Sequence, residues 1–585
     1  MTFLVKSSLA LLISSTLVAC AGTKGDFDVE DVQTPQKQIN THTSRDIKTD
    51  PREKAAQVAE VMKPAYGYSV KIPRRNWHPQ SKNIEQEAGF TAKDVQRIDE
   101  SSLDIPYLKE VSDYFSNSPN YTHNEQGTEL QKRNLSYVRT GYVYNLPAGL
   151  DIDHDKKTVY TGPKGYVYYR GTNPSSEIPL GSNIKYSGTW DFVSNAKASR
   201  GRLDGFGKQD SPGKNVGAMS LHENVYDGRL DGTTDKKYKK GHGSEFEVDF
   251  ANKTLTGKLY KHSDPNFASN TQESILRYSI EAKLSGNRFS GKAIAQKEKP
   301  HEIFASDSKS LEGGFFGPHA EELAGKFLAD DDSLFAVFGA KRDKQDNEQT
   351  EKLFDAVKIG TGFDMTKLDN FGDARKLLLN GQEISLVDDT SNFTVTKEVT
   401  QGNKTFQVNV CCHNLDYTKF GLLSEKTQEK FTNVELFLQG ERTKTADVPK
   451  NGSATYKGTW EGRIEDTTPW STSAGKEDGE SKAEFEVDFD KKKLTGTLTA
   501  TNGVRPAFII SGNIEGNGFT GTAKTGERGL NLDPDNTLNH RVFNLDNAEV
   551  KGGFFGKAAE ELGGAFQDEG KKVGVVFGAK RQENQ

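Results

Sequence analysis

Ser244–Leu259 reads SEFEVDFANKTLTGKL, and 239 residues further on Ala483–Leu498 reads AEFEVDFDKKKLTGTL. In the first stretch Phe246, Val248 and Phe250 alternate with Glu247 and Asp249. That is the period of two that gives a strand one face for a core and one for water. After a turn at Asn252-Lys253 the alternation resumes through Leu255, Gly257 and Leu259, so the stretch predicts a β-hairpin. Gly257 stands where a third large residue is due, which lets a bulky aromatic or a neighbouring strand approach closely as a sheet curls into a barrel.

The repeat extends outward. Leu311–Phe327, LEGGFFGPHAEELAGKF, returns as Val550–Phe566, VKGGFFGKAAEELGGAF, and Phe335–Arg342, FAVFGAKR, returns as Gly574–Arg581, GVVFGAKR, all at the offset of 239. Tyr186–Trp190 matches Tyr456–Trp460 at an offset of 270, so the first copy carries 31 extra residues between Trp190 and Phe246, somewhere within Asn195 to Gly241. A weaker echo precedes each repeat, Asn134-Leu-Ser-Tyr137 with Gly141 and Asn414-Leu-Asp-Tyr417 with Gly421. Two homologous lobes follow, each an upstream subdomain and a downstream barrel. Gly317–Gly325 and its twin read as the helical element closing each barrel, with Pro early, carboxylates in the first turn and Gly at the end.

Composition bounds the rest. A chain of 585 residues holds about four domains or two large ones. It is poor in aliphatics yet has 57 Gly, 33 Phe and 19 Tyr, a supply suited to many short strands and turns. Lys and Arg number 77 against 83 Asp and Glu, which argues against a nucleic-acid binder that needs a basic face. Three cysteines make neither a disulfide framework nor a zinc site.

Residues 2–19, TFLVKSSLALLISSTLVA, read as a signal peptide (1–19), whose apolar centre is too short to span a bilayer. Leu17-Val18-Ala19-Cys20 looks like the lipobox of bacterial lipoproteins, which makes Cys20 the expected lipidation site and an acyl chain the anchor. Ala21, in place of Asp, favours the outer membrane by the sorting habits of Gram-negative lipoproteins. Residues 20–58 are too poor in apolar positions to offset chain entropy and read as a flexible, lipidated leash.

With the GGFFG…AEEL elements, the FGAKR strands, the duplication and the lipobox, the chain resembles the transferrin-binding protein B family of surface lipoproteins. The resemblance implies an all-β, bilobed fold with few short helices, each lobe a β-rich handle followed by an eight-stranded antiparallel barrel. The expected boundaries are a first handle at 59–183, its barrel at 184–343, a linker at 344–353, a second handle at 354–453 and its barrel at 454–585. It also implies capture of iron-loaded host transferrin by the first lobe and presentation to a TonB-dependent outer-membrane receptor. A lactoferrin-binding relative or another host-ligand-binding surface lipoprotein is the alternative, but the long acidic runs of the lactoferrin-binding relatives are absent; the longest here is Asp330–Asp332, read as a turn.

Gripping a host protein calls for exposed aromatics and arginines. The densest aromatic stretch outside the barrels holds Tyr160, Tyr166, Tyr168, Tyr169 and Arg170, and its counterpart VELFLQG (434–440) has lost the tyrosines. A difference confined to one copy marks what only that copy does, so these five are candidate contacts, joined by Arg200 and Phe206 of the insertion; the alternative for any single one is a tyrosine packed on its own sheet. Trp190 and Trp460, present in both copies, read as core.

No HExxH, GxSxG or Walker-type loop appears, so neither an enzyme nor a cofactor is expected. The GxGxxG at Gly516–Gly521 runs into a strand and reads as hairpin glycines. Asp151, Asp153 and Asp155 have the spacing of a calcium loop, but Lys156 stands where its glycine belongs, so a solvated loop and no metal are expected. Adjacent Cys411 and Cys412 read as buried thiols slightly ahead of a bridge.

Overall fold

Phe246 and Val248 point into a closed, eight-stranded antiparallel barrel in the computed structural model. The structure describes residues 65–73, 90–99, 121–124, 135–145, 151–160, 164–195, 219–220, 223–226, 237–297, 303–343, 349–388, 392–427, 430–465, 481–500, 506–532 and 541–582. The signal peptide, Cys20 and the leash lie outside the described residues.

The first barrel runs from Ile184–Ser194 through His242–Asp249, Thr254–His262, Ser274–Ser285, Arg288–Ala295, Ser308–Phe316 and Glu322–Leu328 to Leu334–Arg342, which pairs back with the first strand. The second repeats this from Ser453–Ile464 to Val573–Arg581. Phenylalanine opposite glycine recurs around both: Phe246 pairs with Gly257, Phe289 with Gly313 and Phe338 with Gly325, as Phe485 pairs with Gly496, Phe519 with Gly552 and Phe577 with Gly564. A Cβ on Gly257 would lie 2.4 Å from the Phe246 ring, and one on Gly496 2.2 Å from that of Phe485. The ring lies across its cross-strand glycine, which is how a narrow barrel fills its interior. Trp190 and Trp460 are buried at matched positions, donating to the carbonyls of Tyr260 and Thr499.

Each barrel is covered on one side by a sheet. In the first lobe five antiparallel strands lie in the order Gln96–Ile98, Gly67–Lys71, Lys164–Gly171, Val138–Asn145, Tyr121–Asn124. The second lobe has six, with Lys430–Glu441 in the place of Lys164–Gly171.

The expected closing helix is absent. Glu322–Leu328 and Glu561–Gln567 are barrel strands, preceded by turns in which Ala320 and Ala559 take positive φ of 56° and 57°. The strand is buried on both faces: Leu323 and Phe327 look into the barrel, Ala324 and Leu328 against the handle. A strand with no wet face shows no alternation, so its carboxylates and glycine read falsely as helix signals. Those carboxylates have another use. Glu322 accepts backbone N–H groups from Ser136 (2.6 Å), Tyr137 (2.8 Å) and Val138 (2.9 Å), tying handle to barrel. Glu561 accepts those of Asp416 (2.6 Å) and Tyr417 (3.1 Å), which explains the echo between the two Asn-Leu-x-Tyr segments.

The lobes touch directly. Thr350–Lys352 pairs with Glu177–Pro179 in a two-stranded sheet, the Asn287 amide donates to the carbonyl of Asn370 (2.9 Å), and the Tyr66 hydroxyl donates to Asp369 (2.9 Å). The Gly516–Gly521 glycines form the expected hairpin, and Asp330–Asp332 the expected turn. Cys411 and Cys412 are buried, but as a disulfide across a cis peptide bond rather than as the thiols the sequence favoured.

Candidate first-lobe binding surface

The tyrosine strand Lys164–Gly171 lies inside the first handle sheet, paired with Gly67–Lys71 on one side and Val138–Asn145 on the other. Tyr168 and Tyr169 are fully buried, and Arg170 nearly so. Tyr168 packs with Ile98 and Val143 on one face, while Tyr169 packs with Tyr68 on the face against the barrel. Burial pushes the Tyr169 phenol above its usual range. The register of the second handle puts Phe437, Leu438 and Gln439 at the equivalent places, all buried too. These are core positions in both lobes, so the expectation that Tyr168, Tyr169 and Arg170 meet a partner is corrected. Tyr166 is half-buried at the edge of the Tyr168 cluster. Tyr160 ends the short strand Thr158–Tyr160, whose hairpin carries Asp153 with its carboxylate accepting the Lys156 N–H at 2.9 Å. Arg200 and Phe206 lie outside the described residues.

The second difference between the copies, the insertion, is partly described, and it builds a cluster at the mouth of the first barrel that the sequence reading missed. Met219 bridges to Val193 and is buried against the handle. The Ser220 hydroxyl donates to Asp191 (2.8 Å) and accepts the N–H of Phe192 (3.3 Å). Glu223 enters the barrel. Its carboxylate accepts from His242 Nε2 (2.7 Å) and Arg277 Nη2 (2.7 Å), with Lys261 Nζ 3.3 Å away. Arg277 points inward because the register shifts beside it, and its guanidinium lies 4.5 Å from the centre of the Phe304 ring. Burial raises the Glu223 carboxyl, but His242, Lys261 and Arg277 outweigh it and hold it down at about 2.

Beyond Glu223 the Tyr226 N–H donates to the carbonyl of His262 and its own carbonyl accepts the Gly241 N–H, both at 3.0 Å. The Tyr226 ring meets Tyr238 (6.0 Å) and Phe267 (6.5 Å), and Phe267 is 50% exposed. A half-exposed phenylalanine backed by two buried tyrosines is the kind of rigid apolar knob that anchors protein interfaces. Residues 263–273 carry it; the corresponding link of the second barrel is the shorter 501–505, without an aromatic.

The family models divide the chain as the structure does. "C-lobe and N-lobe beta barrels of Tf-binding protein B" matches residues 178–342 and 448–581, "N-Lobe handle Tf-binding protein B" matches 43–175, and "C-lobe handle domain of Tf-binding protein B" matches 351–443. The chain belongs to the transferrin-binding protein B family. A family member from Neisseria meningitidis serogroup B is 40% identical over 608 residues, covering 99% of each chain. One from Moraxella catarrhalis is 37% identical over 569 residues, covering 88% of this chain and 78% of its own. Among solved structures, isotype 1 transferrin-binding protein B of serogroup B N. meningitidis superimposes with a TM-score of 0.76 at 40% identity, covering 89% of this chain and 100% of that one. A Trp-176-Ala mutant from Haemophilus parasuis Hp5 gives 0.73 at 35% identity, covering 93% and 99%.

Proposed function

We propose that the protein is a lipid-anchored receptor subunit on the outer-membrane surface that captures iron-loaded host transferrin with its first lobe. It then presents the carrier to a TonB-dependent receptor for iron uptake. The observation that carries this reading is membership of the family along the whole bilobed chain, and the placing in the first lobe rests on the insertion, which the second barrel lacks. Capture is binding without chemistry. The first barrel's mouth offers an apolar knob, Phe267, framed by polar chain, the composition of an interface centre with a wet rim. Iron closes the carrier's lobes, so a rigid receptor surface discriminates by shape. Cys20 supplies the anchor, and the leash from 20 to 58 sets the reach.

The test is retention of iron-loaded and iron-free transferrins from several mammals on an immobilised soluble form, residues 21–585. Preferential retention of an iron-loaded carrier is expected; failure to retain any of them refutes the reading. Replacing Cys20 by Ser should abolish incorporation of labelled palmitate, and undiminished labelling would remove the anchor from the proposal.

A further inference from the structure

The cations around Glu223 are not needed to close a barrel. The second barrel has the same strands, the same pairing of Leu498 with Phe508 as of Leu259 with Tyr278, and a register shift at the same place. Carried across on that register, His242, Lys261 and Arg277 become Ser481, Ala500 and Ala507. All three are buried, and Ala500 and Ala507 belong to the second barrel's apolar core. The first-barrel set, with the cations Lys261 and Arg277, is present where the insertion is present and replaced by small side chains where it is not. Buried cations without a counter-charge are strongly unfavourable, so their presence in the first mouth has to be matched by the carboxylate that the insertion brings.

Glu223 also sits at a mechanically useful place. On one side of it Met219 and Ser220 are fixed to the first barrel strand through Val193 and Asp191; on the other the Tyr226 backbone bridges His262 and Gly241. With Glu223 pinned inside the barrel, the limb Glu223–Tyr226 has one height and one direction across the mouth, and Tyr226 and Tyr238 stand behind Phe267. We propose that Glu223 is a positioning residue for ligand capture: its clasp on His242, Arg277 and Lys261 holds Glu223–Tyr226 of the insertion in the orientation that makes the barrel mouth a binding surface. This rests on the reading that the first lobe does the capturing.

Two variants separate positioning from mere stability. Glu223→Gln leaves the cations uncompensated and lowers the melting temperature. Combining Glu223→Ala with His242→Ser, Lys261→Ala and Arg277→Ala copies the second barrel and restores melting towards wild type. If Glu223 positions the limb, amide exchange at Tyr226 and Gly241 stays at least about tenfold faster in both variants while the barrel strands remain protected. Retention of iron-loaded transferrin falls at least about tenfold in both. Wild-type retention by the fourfold variant overturns the proposal, and so does unchanged protection of Tyr226 and Gly241. Wild-type protein that retains no transferrin refutes the functional reading instead, and the exchange measurement still decides whether Glu223 pins the limb.

Discussion

Replacing Glu322 by Ala should loosen the first handle from its barrel, and the size of the effect follows from its contacts. The carboxylate accepts three backbone N–H groups, from Ser136, Tyr137 and Val138, at 2.6, 2.8 and 2.9 Å. A donor orphaned in a buried place costs roughly 1–3 kcal/mol, which applies in full to Val138 and only in part to Ser136 and Tyr137, where water can take over the bond. Part of this is offset, because burial pushes the Glu322 carboxyl above its ordinary range despite the opposing N–H bonds, and the charge is relieved when it goes. About 1–3 kcal/mol remains, or a fall of about 2–12 °C in the melting temperature of a lobe this size. Calorimetry combined with amide exchange reads both parts: the transition should move, and Ser136, Tyr137 and Val138 should lose protection before the barrel strands do. Glu561→Ala in the second lobe, with N–H donors from Asp416 and Tyr417, should cost less. Glu321→Ala, whose carboxylate accepts the N–H of its near neighbour His319, should change stability by less than about 1 kcal/mol. If Glu322→Ala melts with wild type, or if the neighbouring Glu321→Ala matches its loss, the clasp does not hold the domains together.

Tyr169→Ala should destabilise the first lobe by about 3–5 kcal/mol, as expected for a fully buried aromatic, with Tyr169→Phe nearly neutral in urea unfolding; a fully stable Tyr169→Ala protein that fails only in capture would return this residue to the surface. Gly257→Ala should cost about 1–3 kcal/mol by driving a methyl into the Phe246 ring, and Gly496→Ala the same against Phe485, so a neutral result at both would refute the ring-over-glycine packing. The Glu223 carboxyl is depressed to about 2, below its unfolded range, so its contribution is complete above about pH 4.5 and is lost as pH falls towards about 2. The stability gap between wild type and Glu223→Gln, measured from neutral pH to about pH 3, should shrink with acid; a constant gap contradicts the ionic clasp.

The parts of the fold that the sequence displayed are those with one wet face. Phe246, Val248 and Leu255 alternate with charged or polar neighbours because His242–Asp249 and Thr254–His262 face solvent outside the barrel, and the duplicated spacing then fixed the second barrel. Two of the failures come from strands covered twice. Glu322–Leu328 has barrel on one face and handle on the other, so it imitated a helix. Lys164–Gly171 is sandwiched in the same way, so its tyrosines imitated an exposed patch. Position-by-position comparison of the copies within the strands, rather than of their loops, would have found His242, Lys261 and Arg277 opposite Ser481, Ala500 and Ala507. Glu223 itself had no partner in the second copy to be compared with, and its neighbours come from separate strands.

The pairing of Thr350–Lys352 with Glu177–Pro179 bears on how the molecule can be divided into reagents. A gene split at 344–348 assigns the two partners of that ladder to different fragments, and the upstream half then displays a raw sheet edge at Glu177–Pro179 that invites self-association. An N-terminal half intended as an immunogen or affinity matrix is better ended after Lys352, where it carries its own edge cover.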